Sequence, residues 1–284
     1  MNPIEKITVI GAGTMGAGIA HVAAYSGFSV RLLDIDRGAV DAGIAHVSKT
    51  LAKGIALDKV TETHANETLA RIQGVTETLE AVADADLVIE AIPENMELKK
   101  MLFQDLSTMM RDDAILATNT SSLSVTELAS AAPHPDRVVG MHFFNPPHIL
   151  TLLELVRAWQ TSEETVAAVH AAGERMERDM IIVHDSPGFA TSRLGLILGL
   201  EAMRMVQAGV ATVEDIDAAM TLGYRHPMGP LKLTDHVGLD VRLAIAEHLH
   251  REIGEQFRPP QILRQLVRAG KLGKKTGEGF YDWR

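Results

Sequence analysis

Cysteine is absent from the 284 residues. Disulfides and thiolate metal sites are therefore excluded, and a reducing cytosol is compatible with the chain. Positive charge is also in short supply: 27 Lys and Arg stand against 37 Asp and Glu, a net charge of −10. No global basic field recruits nucleic acid or an anionic membrane, so any anionic ligand must be held by local groups. The opening MNPIEKITVIGAG lacks the basic-then-apolar layout of a signal peptide and enters a strand at once. The most apolar later run, FATSRLGLILGLEAMRMV, carries Arg193, Glu201 and Arg204, which an ordinary membrane span would not. Gly195 and Gly199 within it then read as a close-packing face of a soluble helix. Internal repeats and low-complexity tracts are missing as well. A cytoplasmic globular protein is the expectation, with no metal, nucleic-acid or membrane partner. With 46% hydrophobic residues, it is long enough for one large domain and a smaller one.

What is present is an alternation. Through residue 185, short β-rich runs (4–10, 29–34, 87–92, 114–118, 138–144, 152–156 and 180–183) are separated by helical stretches at 15–26, 37–53, 96–110, 125–131 and 162–178. Several runs are continuously apolar, the mark of strands covered on both faces. The pattern predicts an α/β fold with a Rossmann-type, doubly wound, mostly parallel sheet. The crowding of the later strands suggests a mixed-direction edge. After HDSPGF the texture turns helical, with stretches at 190–208, 213–221, 239–254 and 260–269, and no convincing strand before the last residues. The expected division is 1–185 for a dinucleotide-binding domain and 186–284 for an all-α C-terminal domain.

The stretch ITVIGAGTMGAGIAHVAAYSGFSVRLLDID places Gly11-x-Gly13-x-x-Gly16 after a strand and at the head of a helix. Alone, that glycine spacing is weak. Together with the flanking elements, and with Asp34 lying 21 residues after Gly13 at the end of the next strand, it matches what a dinucleotide fold requires. The helix N-terminus, with Thr14 and Met15 at its head, faces a pyrophosphate with unpaired N–H groups. Asp34 is placed to accept hydrogen bonds from a ribose diol and would repel a 2′-phosphate. NAD is thus favoured over NADP, and Arg37 is the residue that could reverse the preference.

A second feature is GMHFFNPPHILTLLELV. His142 lies in one buried strand and Glu154 in the next, twelve residues on, with Asn145-Pro146-Pro147 marking the break. If the second strand folds back beside the first, the side chains meet. A His–Glu pair of this kind is either a structural contact or a general base with its orienting carboxylate. A dinucleotide site in the same domain favours the second reading, because oxidising an alcohol needs a base. In TNTSSLS, Ser121 and Ser122 supply hydroxyls at the sheet edge where ligands gather. The alternative for Ser124, and for Ser122, is N-capping of the helix beginning at VTELAS.

Taken together, GAGTMGAGIAHVAA, DLVIEAIPENMELKK, ATNTSSLS, GMHFFNPP, LLELV, DSPGF, GYRHPMGPLKLTDHVGLD and KLGKKTGEGFYDW resemble the L-3-hydroxyacyl-CoA dehydrogenases, nearest to their short-chain 3-hydroxybutyryl-CoA branch. The likeness runs in order from Ile7 to Trp283. It implies NAD-dependent oxidation of an L-3-hydroxyacyl-CoA to the 3-ketoacyl-CoA, or the reverse. It further implies His142 as base, Glu154 as its partner, Ser121 as a hydroxyl that contacts substrate, and Asn145 as an amide positioning substrate and nicotinamide. Glu94, Lys99 and Lys275 fall on cofactor-contacting positions. Lys49 and Lys53, on one helix face, fall where lysines hold coenzyme A, although solvated lysines on a helix look the same. A homodimer through the helical domain is implied too. The chain departs from the family where Ser192 stands in place of the usual asparagine, a substrate contact.

Two other readings remain at this level. One is a related dehydrogenase of a free hydroxy acid, similar to the lambda-crystallin and gulonate dehydrogenase group. The other is a non-catalytic dinucleotide-binding protein, which the presence of both His142 and Glu154 argues against.

Overall fold

A parallel sheet needs long crossovers, and the helical stretches between the apolar runs supply them. In the computed structural model, which describes residues 3–284, eight strands form one sheet. They are β1 (Lys6–Ile10), β2 (Ser29–Leu33), β3 (Ile72–Val75), β4 (Leu87–Glu90), β5 (Ile115–Thr118), β6 (Val138–Phe143), β7 (Leu152–Arg157) and β8 (Asp179–His184). Their order is β3-β2-β1-β4-β5-β6-β7-β8. All neighbours run parallel except β6 and β7, whose antiparallel register pairs His142 with Glu154. The doubly wound sheet and its mixed edge are as the sequence predicts. The strand order reverses between β1 and β4, where ligands gather outside the carboxyl ends of the strands.

The helices of this unit are α1 (Thr14–Tyr25), α2 (Arg37–Ala56), α3 (Glu62–Ala70), α4 (Thr78–Val82), α5 (Met96–Ser107), α6 (Val125–Ala129) and α7 (Glu163–Arg175). Their starts are chemically marked: Asp36, Thr61, Asn95, Ser124 and Ser162 each accept a backbone N–H as N-caps. The core joins the central strands to α1 through Ile7, Val9, Ile19, Leu32, Ile89, Val139 and Leu155. Two short helices and one strand, α3, α4 and β3, were not legible in the sequence. The strand is IQGV at the sheet edge, too short and too polar to stand out. Gly74 within it lets Val40 and Ile44 of α2 close over the strand.

The chain divides into two compact units, Met1–Asp185 and Ser186–Arg284. The second contains α8 (Thr191–Gln207), α9 (Val213–Gly223), α10 (Pro230–Val237), α11 (Leu239–Glu252) and α12 (Gln261–Arg268) around Leu196, Leu200, Met203, Ile216, Leu231, Leu249 and Leu263. Among its residues the only β pairing is two isolated bridges near the end, Gly273 with Glu278 and Glu278 with Asp282. Helix α10 falls between the helical stretches 213–221 and 239–254 read from the sequence and is an addition to them. The proline sits at the first helical position, where its missing N–H costs nothing. Among the described residues no helix is long and apolar enough to cross a membrane.

Candidate active site

The loop between β1 and α1 is built from close approaches. Gly11 has φ +99°, and a Cβ there would lie 2.7 Å from the Ala91 carbonyl oxygen. A Cβ on Gly16 would lie 1.7 Å from the Gly11 carbonyl oxygen, so only glycine lets α1 begin here. Gly13 is the N-cap of α1 with no side-chain cap, and it faces open space. The first-turn N–H groups, with Thr14 exposed and Met15 half-buried, are therefore presented to an anion. Asp34 braces the same loop: its Oδ2 accepts from the Ala12 N–H at 2.8 Å and its Oδ1 from Asp36 N–H at 3.2 Å. Arg37 is engaged elsewhere, by Asp41 at 3.0 Å and by the Gly74 carbonyl at 3.5 Å. The carboxylate at the end of β2 is thus not neutralised by its nearest arginine. This loop and carboxylate fit the diphosphate and ribose of NAD.

The register of β6 and β7 puts His142 and Glu154 face to face, with Nδ1 and Oε2 2.7 Å apart. His142 is 7% exposed and Glu154 0%. Because a buried carboxylate accepts a hydrogen bond, Nδ1 is the donor in this contact. Phe144 packs against the ring at 4.4 Å. Asn119, just past β5, accepts the Phe143 N–H at 2.9 Å and fixes the end of β6.

Three loops at the carboxyl ends of β4, β5 and β6 carry Glu94, Ser121 and Asn145. Glu94 is a hub. Its Oε1 accepts the Thr120 hydroxyl at 2.6 Å, and the Ser121 N–H and hydroxyl at 3.0 and 3.3 Å. Lys99, in the first turn of α5, is 1% exposed and lies between Glu94 and Glu90. Asn145 is exposed. Ser124 caps α6 and donates its hydroxyl to Asp185 at 2.8 Å, so the capping alternative is the observed one for that residue. Pro147, beyond Asn145, presses on α1: a Cβ on Gly18 would lie 2.8 Å from its ring carbons.

Against α1 and the C-terminal part of α2 lies a cavity of about 640 Å³ lined by His21, Tyr25, Thr50, Lys53, Lys59, His148 and Arg178, among others. Lys53 is on its wall, whereas Lys49, a turn earlier, is exposed and outside the lining. His21 and His148 stack here with ring centroids 5.5 Å apart. The His21 pKa is pushed down to about 4, first by burial and then by His148 and His46. At neutral pH the histidine wall is uncharged, and the cavity's cations are Lys53, Lys59 and Arg178.

In the second unit Ser192 lies in the first turn of α8. Lys275 makes an ion pair with Asp240 at 2.6 Å, which lowers the Asp240 pKa. No group of three or more His, Asp or Glu side chains among the described residues could hold a metal. Glu90, Thr118, Asn119 and Thr120 escaped the sequence reading. Glu90 gave the same signal as His142, an ionisable residue in an otherwise apolar strand.

Residues 6–186 match the model of the 3-hydroxyacyl-CoA dehydrogenase NAD-binding domain, and residues 188–283 match that of the C-terminal domain. A probable 3-hydroxybutyryl-CoA dehydrogenase of Bacillus subtilis is 46% identical over 99% of this chain and 98% of its own. The 3-hydroxybutyryl-CoA dehydrogenase of Bradyrhizobium diazoefficiens is 42% identical over 99% and 96%. The crystal structure of (S)-3-hydroxybutyryl-CoA dehydrogenase from Ralstonia eutropha superposes with a TM-score of 0.96 at 41% identity, covering 99% of both chains. With both domain models matched in order and relatives alike along the whole length, the chain belongs to the NAD-dependent 3-hydroxyacyl-CoA dehydrogenase family.

Proposed function

We propose that the protein oxidises short-chain L-3-hydroxyacyl-CoA, with 3-hydroxybutyryl-CoA as the representative substrate, and catalyses the reverse reduction. The observation that carries this reading is the buried His142–Glu154 contact of 2.7 Å. NAD, held by Gly11, Gly13, Thr14, Met15, Gly16 and Asp34 with Glu94, Lys99, Ser121 and Asn145, supplies a hydride acceptor when bound. His142 takes the 3-hydroxyl proton at Nε2 as the C3 hydride leaves, and Glu154 stabilises the imidazolium that results. In the reducing direction the same nitrogen returns the proton to the carbonyl oxygen. Ser121 and Asn145 contact the substrate, and Ser121 is oriented by Glu94 through two hydrogen bonds.

Lys53, with Lys59 on the same cavity wall and Lys49 a turn away, holds the coenzyme A phosphates that the net charge of −10 would otherwise repel. Two such chains associate through the second unit. Leu194 and Leu198 of α8, 63% and 42% exposed and one turn apart, support that face.

The test is NADH absorbance with acetoacetyl-CoA and, in parallel, with free acetoacetate. Turnover at least about a hundredfold more efficient on the thioester is expected. Equal efficiency on the free acid would replace this reading with that of a free hydroxy-acid dehydrogenase.

A further inference from the structure

We infer that Glu90 is a positioning residue for the reaction: through Lys99 it sets the carboxylate of Glu94 against Ser121. The inference rests on the reading of Ser121 as a substrate-contacting hydroxyl. Glu90 ends β4 and is fully buried. Its Oε1 accepts the Ile92 N–H at 2.7 Å and pairs with the Lys99 ammonium, and its Oε2 accepts the Thr118 hydroxyl at 2.7 Å. Each oxygen is thereby fixed from a different element, and the carboxylate cannot rotate. Lys99 reaches it from α5 and is 1% exposed; its Nζ also lies 3.4 Å from the Ile92 carbonyl and 3.4 Å from Glu94 Oε2. Glu94, 38% exposed, is the outer end of a chain of alternating charge.

The spacing decides the role. Nζ is held tightly by Glu90 and loosely by Glu94. Glu94 therefore feels an attraction through one oxygen, while its other oxygen serves Thr120 and Ser121. Without the charge on Glu90, the buried ammonium would have Glu94 as its single carboxylate. It would close on that group, because leaving a buried cation unpaired is strongly unfavourable. Closing the gap draws Glu94 away from Ser121. Stability does not require this arrangement, since apolar replacements of a buried ion pair are often as stable. What an apolar pair cannot do is hold Glu94 in place.

That difference supplies the experiment. Glu90→Gln should lower kcat/KM for acetoacetyl-CoA reduction at least tenfold and also lower Tm. The double variant Glu90→Gln/Lys99→Met, with neither charge of this pair, should regain Tm to within a few degrees while kcat/KM stays at least tenfold down. Hydrogen exchange at the Ser121 amide, which donates to Glu94, should be at least tenfold faster in the double variant. This readout needs no turnover: failure of the wild type to reduce acetoacetyl-CoA would count against the proposed function, and unchanged Ser121 exchange against Glu90. Recovery of wild-type kcat/KM together with Tm in the double variant overturns the positioning role. If the double variant does not fold, Thr118→Val, which at nearly constant volume strips one hydrogen bond from Glu90 and the side-chain acceptor of the Thr120 N–H, takes its place. A three- to tenfold fall in kcat/KM supports the role, and unchanged kinetics and Ser121 exchange overturn it.

Discussion

The two units bury their carboxylates differently. In the first, Glu154 meets an imidazole and Glu90 an ammonium, partners that themselves exchange protons or carry charge. In the second, Asp217 and Asp235 meet groups with fixed protons. Asp217 accepts the Leu231 and Lys232 N–H groups at 2.8 Å each, and the Tyr281 hydroxyl at 2.9 Å. Asp235 accepts the Phe280 and Tyr281 N–H groups and the Trp283 indole N–H, all at 2.9 Å. The Tyr281 pKa is pushed up, first by burial and then by its bond to Asp217, so its proton stays in place. Carboxylates of the second kind cap a helix and clasp the C-terminal segment; those of the first kind pair with a side chain that can carry charge. On the proposed function, burial alone does not mark the reaction site, and the protonic character of the partner does.

The sharpest way to break that distinction is His142→Ala. It should lower kcat by about 10²–10⁴, the usual contribution of a positioned general base. Glu154→Gln should follow in the same direction with a smaller loss. Near-normal turnover in His142→Ala, measured by NADH absorbance, would make the pair a structural contact.

The converse variant is Asp217→Ala. Removing an acceptor that satisfies two N–H groups and a hydroxyl should cost roughly 3 kcal/mol of stability, given about 1.5–3 kcal/mol for each bond to a charged group and incomplete additivity. Urea unfolding measures that loss, and kcat of the remaining folded enzyme should stay within threefold of wild type. A hundredfold loss of kcat with unchanged stability would erase the contrast between the units.

The smallest effect is expected at Ser192. A serine reaches about one bond length, roughly 1.5 Å, less far than the asparagine usual in the family, and a bridging water is the natural substitute for the lost reach. Ser192→Ala should lose less than about tenfold in kcat/KM, under roughly 1.4 kcal/mol, and Ser121→Ala more. Side-by-side kinetics decide the order, and equal losses would make Ser192 a direct ligand.

Much of this was legible in the residues because strong local signals agreed with the fold. The glycine spacing, Asp34 and the apolar runs each point to the same β-α-β beginning. His142 and Glu154 could be paired on paper because one turn separates their strands and the antiparallel period preserves the face. Glu90 could not, since its partners come from a crossover helix and from a neighbouring strand 28 residues away. Sequence spacing carries no distance across a parallel crossover. Helix α10 was hidden for the opposite reason: its proline looks like a stop and is a start.

The press of Pro147 on Gly18 has a consequence for affinity. The helix that begins at the glycine-rich loop and the segment that leaves β6 pack so closely that a Cβ on Gly18 would lie 2.8 Å from the Pro147 ring. On the proposed function, cofactor and acyl carbon are received at a separation set by this packing. Little of the binding energy has to go into ordering these two segments, and more is left to act on the transition state.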